Sequence, residues 1–96
     1  MNIIVLHNSI PESATADEKD NLVEADFVAE GLAEIGHNVR MMPFGFNMDD
    51  TARILRSEAP DLVFNLVESI EGESAWAYLA SALLEHLGIP YTGGSR

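Results

Sequence analysis

Residues 61–67 read DLVFNLV, an apolar run broken only by Asn65. A short run that does not alternate polar with apolar positions suits a strand covered on both faces, the condition of a parallel sheet held between helices. Pro60 forbids a helix from continuing into it, and residues 68–73, ESIEGE, turn polar as soon as it ends. One strand, its entry and its exit loop are therefore predicted from this stretch.

Upstream, residues 3–6, IIVL, form a second strand of the same kind, predicted to be central. Thr15 and Glu18 have the spacing of a capping box, with Asp17, Glu18 and Asp20 favoured by the dipole of the helix that follows. Leu22, Ala25, Ala29, Leu32 and Ile35 recur at three- and four-residue steps and predict its inward face, with Glu24, Glu30 and Glu34 opposite. Gly36 ends that helix as a left-handed cap. Residues 39–44 return to strand, where Pro43 is tolerated near a strand end or at a sheet edge. Asn47 caps a second helix running to about Ala59, with Ala52, Leu55 and Ala59 inward.

Downstream, a third helix is expected from near Ser74, with Trp76, Leu79, Leu83 and Leu87 on its buried face and Gly88 at its end. Residues 89–92 make a final short strand before Gly93-Gly94. The order β-α-β-α-β-α-β, joined by right-handed crossovers, predicts a three-layer α/β/α, Rossmann-like fold with a small, mostly parallel four-stranded sheet. One domain over residues 1–96 is expected, since a chain of 96 residues supports one core.

Composition narrows the function. Sixteen Asp and Glu against five Lys and Arg give a formal net charge of -11. That balance disfavours nucleic acid, an anionic membrane surface or a nucleotide held by this chain alone, because each needs cations to neutralise it. With no cysteine, disulfides, thiolate zinc sites and cysteine nucleophiles drop out. The opening residues lack the basic region of a signal peptide, and no stretch approaches a membrane span, so the cytoplasm is the expected compartment.

Ligands of open parallel sheets bind beyond the carboxyl ends of the strands, where residues 7–16, 44–47 and 68–73 are expected to lie. The third loop carries the pointed chemistry. Glu68, Glu71 and Glu73, with Ser69 and Ser74, either orient a ligand ammonium or form a solvated acidic turn before a helix. Glu68 is the first candidate, since it follows the strand directly. Asn65 is expected to be satisfied by neighbouring backbone. Ser9, Ser13 and Thr15 suit capping, the first loop having no glycine-rich phosphate pattern. Of the histidines, His37 and His86 sit at helix ends, while His7 closes the first strand near the crevice. Met41, Met42 and Trp76 read as packing residues, and Met42, Phe44 and Phe46 can also form an apolar face toward another domain.

Residues 60–95, PDLVFNLVESIEGESAWAYLASALLEHLGIPYTGGS, resemble the corresponding stretch of D-alanine-D-alanine ligases. That family reads P-D-x-V-F-N, a His-Gly-x-x-Gly-Glu-Asp loop, a helix, then L-G-I-P-Y-T-G. Phe64-Asn65 and residues 87–93 match it, and Gly72-Glu73 keep its Gly-Glu pair. Glu68, Ser69 and Ser74 stand where the family has His, Gly and Asp. The family's Gly-Gly start and Glu-bearing entry to the first helix are not recognisable here. The match stops at Thr92-Gly93, where the family's chain leaves for its central domain, which implies a boundary near Ser95-Arg96.

The resemblance implies a pre-ATP-grasp domain, the N-terminal domain of an ATP-dependent carboxylate-amine ligase. Glu68, Ser69, Glu73 and His7 are then substrate-binding residues for an amino acid or dipeptide. No catalytic group, cofactor or metal is expected on this domain. ATP and Mg2+ are expected on central and C-terminal ATP-grasp domains, which are absent from the chain and are its implied partners. A competing expectation is a free-standing α/β interaction module that uses the fold for dimerisation, as a homodimer.

Overall fold

The structure, a computed structural model, describes residues 1–9, 16–45, 47–67 and 77–92, with the side chains of α1 described from Lys19 onward. Seven elements follow in the predicted order: β1 Asn2–Asn8, α1 Ala16–Glu34, β2 Asn38–Phe44, α2 Met48–Glu58, β3 Leu62–Asn65, α3 Tyr78–Leu87 and β4 Tyr91–Thr92. The sheet has strand order β2-β1-β3-β4 and every pairing in it is parallel. This is the expected α/β fold, with the apolar run of β1 at the centre. Ile4 pairs with Arg40 on one side and Val63 on the other.

Strand order fixes the layers. The step from β1 to β2 runs one way across the sheet, and the steps from β2 to β3 and from β3 to β4 run the other way. Right-handed crossovers therefore put α1 on one face and α2 and α3 together on the other. The packing agrees: α1 lies against β1 and β2, and α2 touches α3. Alternation along the strands divides the core between the two faces. Ile4, Leu6, Met42, Phe44 and Val63 join Leu55, Ala80 and Leu84 in one buried cluster on the α2 and α3 side. Each fully buried Leu there contributes about 1.5–3 kcal/mol. Ile3, Val5 and His7 point to the α1 side, where Ala25 is wholly buried.

The helix ends follow their sequence signals with two departures. Gly36 and Gly88 take positive φ of 98° and 71° after α1 and α3, as caps that only glycine adopts without strain. Asn47 caps α2 by accepting the Asp50 amide on Oδ1 at 3.3 Å. Ala59, expected to point inward, instead occupies the left-handed C-cap of α2 at φ 46°, with its amide donating to Leu55 O at 3.0 Å. Pro60 explains it, since the turn must be made before the proline. Ile35, expected on the inward face of α1, is 70% exposed because the helix ends at Glu34 and the chain turns.

In α3 the wholly buried positions are Ala80, Ser81 and Leu84, with Leu79, Leu83 and Leu87 packed at the margin of the cluster. β2 is an edge strand, which accommodates Pro43 opposite His7. The expected roles of Ser13, Thr15, Phe46, Ser74, Trp76 and Gly93-Gly94 fall outside the described residues, as does the boundary at Ser95-Arg96.

Candidate functional site

The carboxyl ends of β1 and β3 lie side by side, and their exits are tied together by asparagines. Asn21, on the inward side of α1 one turn before Ala25, accepts the Asn8 amide on Oδ1 at 2.8 Å. Its Nδ2 donates to Leu66 O at 2.7 Å. One buried side chain thus holds the last residue of β1 and the first residue beyond β3. Leu66 in turn donates its amide to Leu6 O at 2.8 Å. Strands that leave a sheet have backbone groups with no ladder partner, and a buried one left unpaired costs about 1–3 kcal/mol. Asn21 supplies both partners at once.

Asn65 does half of what was expected. Its Oδ1 accepts the Val67 amide at 3.1 Å, a turn that redirects the chain as it leaves β3 toward residue 68. Its Nδ2 is buried and has no hydrogen-bond partner among the described residues, with the residue only 1% exposed. The backbone therefore satisfies the acceptor of this side chain and not its donor.

His7 lies on the α1 side at the end of β1, 8% exposed. Its Nδ1 is 2.8 Å from Asn8 O. A carbonyl oxygen only accepts, so Nδ1 carries a proton and donates; in the tautomer that holds this one proton, Nε2 is an acceptor. Ser9 follows on the exposed rim, and Gly45 approaches it: a Cβ built on Gly45 would stand 3.8 Å from Ser9 Cβ. The exits of β1 and β2 are thus adjacent too, beside an open depression of about 440 Å³ that also takes in Pro43, Asn47 and Thr51. A second depression, about 290 Å³, lies at the amino ends of the strands around Asn2, Asn38 and Pro60, the opposite end from the crevice.

Of the four candidate substrate contacts, the structure sets His7 at the carboxyl end of β1, buried and not lining the depression beside it, while Glu68, Ser69 and Glu73 lie outside the described residues together with Glu71. His37 and His86 sit beyond α1 and in the last turn of α3, away from the strand exits. Asn21 and Asn8 were not singled out by the sequence reading. The signal was present in Asn21, a polar residue at an inward helical position four before Ala25.

The described side chains at the exits of β1 and β3 are an imidazole and carboxamides, while Arg40 and Asp50 line the depression beside β2. Arg40 is engaged with Glu58 at 2.9 Å and Arg53 pairs with Asp50. Among the described residues no three His, Asp or Glu gather as a metal site. No described helix is long and apolar enough to cross a membrane.

Two curated relatives give the strands and loops a context. The chain is 36% identical over 72 residues to a D-alanine--D-alanine ligase of Gluconobacter oxydans, 75% of this chain and 23% of that protein. It is 35% identical over 79 residues to a D-alanine--D-alanine ligase of Moorella thermoacetica, 82% of this chain and 24% of that protein. The chain spans about a quarter of the length of these curated relatives. No family model matches the sequence, and no solved structure matches it. The resemblance found in residues 60–95 is thus extended, because the aligned lengths exceed that stretch and reach into the first half of the chain. The chain is homologous to a part of D-alanine--D-alanine ligases.

Proposed function

From its homology to part of D-alanine--D-alanine ligases, we propose that this chain is the N-terminal, substrate-facing domain of an ATP-dependent carboxylate-amine ligase and is inactive alone. The observation that carries the reading is the 35–36% identity to two such ligases over 75–82% of the chain. In this reading ATP held by ATP-grasp domains would supply the phosphoryl group that activates the carboxylate of one substrate for attack by the amine of the other. The chain's own residues bind and orient the amino acid or dipeptide.

Glu68 and Glu73 are the anionic partners of the substrate ammonium, and Ser69 adds a hydroxyl to the same loop. His7 contributes the acceptor Nε2, fixed by the Nδ1 bond to Asn8 O. The Asn21 bridge and the Asn65 turn hold the backbone from which residue 68 departs, and support the idea of a rigid rim for the loop. The net charge of -11 supports a nucleotide held elsewhere.

The test joins two measurements. In the ligase that carries the ATP-grasp domains, Glu68→Gln raises KM for the amino-acid substrate roughly tenfold or more, the loss of one charged hydrogen bond, and leaves KM for ATP unchanged. The 96-residue chain titrated with ATP and Mg2+ gives no saturable heat. Unaltered substrate kinetics would return Glu68 to a solvated turn, and saturable ATP binding would overturn the division of labour.

A further inference from the structure

Helix α1 turns a second apolar face outward. Val23 and Phe27, one helical turn apart, are 65% and 77% exposed, while the side chains the helix buries against the sheet are Asn21 and Ala25. Ile35 extends the exposed strip at the end of the helix at 70%. A lone exposed aliphatic residue is ordinary. A phenylalanine left in water beside a valine, on a helix that buries alanine, is a different arrangement.

The surround of this strip is charged with one sign. Asp20, Glu24, Asp26, Glu30 and Glu34 are all exposed on the same helix, and Lys19 is its single basic residue. An apolar centre within a carboxylate rim selects its partner by charge. A second copy of this chain would bring the same rim against it, carrying a net charge of -11 of its own, and an anionic membrane would be repelled likewise. A helix with an apolar stripe flanked by Lys and Arg satisfies both parts at once.

We propose that the outward face of α1, centred on Val23 and Phe27, docks a cationic amphipathic helix of another protein. The apolar centre supplies the contact area and the carboxylate rim sets orientation and association rate. The surface lies on the outer side of α1, away from the sheet, so its occupancy leaves the strand-end crevice open.

The test uses a synthetic Leu/Lys amphipathic helix of about five turns and a control with Glu in place of every Lys, each titrated into the isotope-labelled 96-residue chain. The Lys peptide is expected to shift the α1 amides around Val23 and Phe27, to saturate, and to bind roughly tenfold more weakly to Phe27→Ser, which keeps every carboxylate. The Glu peptide is expected to cause no shift. Because Phe27 is 77% exposed, the variant should keep the parent's amide spectrum elsewhere, which checks that it is folded. Equal binding by Phe27→Ser, or shifts centred on Asp49 and Asp50 of α2, would reduce the effect to unspecific charge attraction and overturn the proposal. A dimer in sedimentation equilibrium that Phe27→Ser dissociates would assign the face to a second copy and overturn it equally.

Discussion

On one face of the sheet Leu55, Ala80 and Leu84 close over Ile4, Leu6, Phe44 and Val63; on the other, α1 offers Asn21 and Ala25 to a surface that includes Ile3, Val5 and His7. The first face is sealed by apolar contact between two helices and the strands. The second is covered by one helix, which buries Asn21 and Ala25 and half-buries Leu22, Val28, Ala29 and Leu32, while Val23 and Phe27 face out. Both faces bury the sheet, by different means. Close packing stabilises through area and tolerates few changes of volume. A carboxamide joined to two backbone groups stabilises by preventing their desolvation from going unpaid, and fixes where they stand. The strand exits that face the crevice are held by the second method.

The contrast predicts an ordered series. Leu55→Ala, in the sealed face, is expected to cost about 2–5 kcal/mol, a large part of the stability of a domain this size, read as a fall in the urea midpoint. A loss below about 1 kcal/mol would mean that α2 is not a principal contributor to the core. Asn21→Ala is expected to cost about 1–3 kcal/mol, because the Asn8 amide and Leu66 carbonyl both lose their partner. Hydrogen exchange at the Asn8 amide should accelerate along with it. If stability falls and that exchange does not change, the bridge is not what holds the end of β1. Phe27→Ser should leave stability within about 0.5 kcal/mol of the parent, since its side chain is already in water. A loss near that of Leu55→Ala would show that the two faces are not as different as described.

The sealed face was the more legible in sequence. β1 and β3 are apolar runs without alternation, and α2 places Met48, Ala52, Ile54 and Leu55 among polar residues, so strand type and helix face follow directly. α1 was less so. Leu22, Ala25, Ala29 and Leu32 do lie on its inward side, Ala25 buried and the other three half-buried, but a second apolar pair, Val23 and Phe27, faces out, Ile35 lies past the helix end, and the buried polar residue of that side is Asn21. At the site, His7 was placed correctly at the end of β1, while the expectation for Asn65 held for its oxygen alone. Asn21 was missed because an asparagine in a helix reads as a surface residue until its partners, forty-five positions away for Leu66, are known.

The position of β1 has a consequence in time. Of the four strands described it comes earliest in sequence, yet it is flanked by β2 and β3, whose pairings with it begin at Asn38 and Leu62. A nascent chain therefore exposes IIVL with both ladder edges open until β2 has been made and with one open until β3 has been made. Its sheet is assembled from contacts distant along the chain, a topology that folds slowly and leaves apolar edges available to the wrong neighbour meanwhile. The polar stretch that follows β1 and the acidic helix after it add charge beside that strand during the wait, a setting that favours solubility before β3 arrives to complete the ladder.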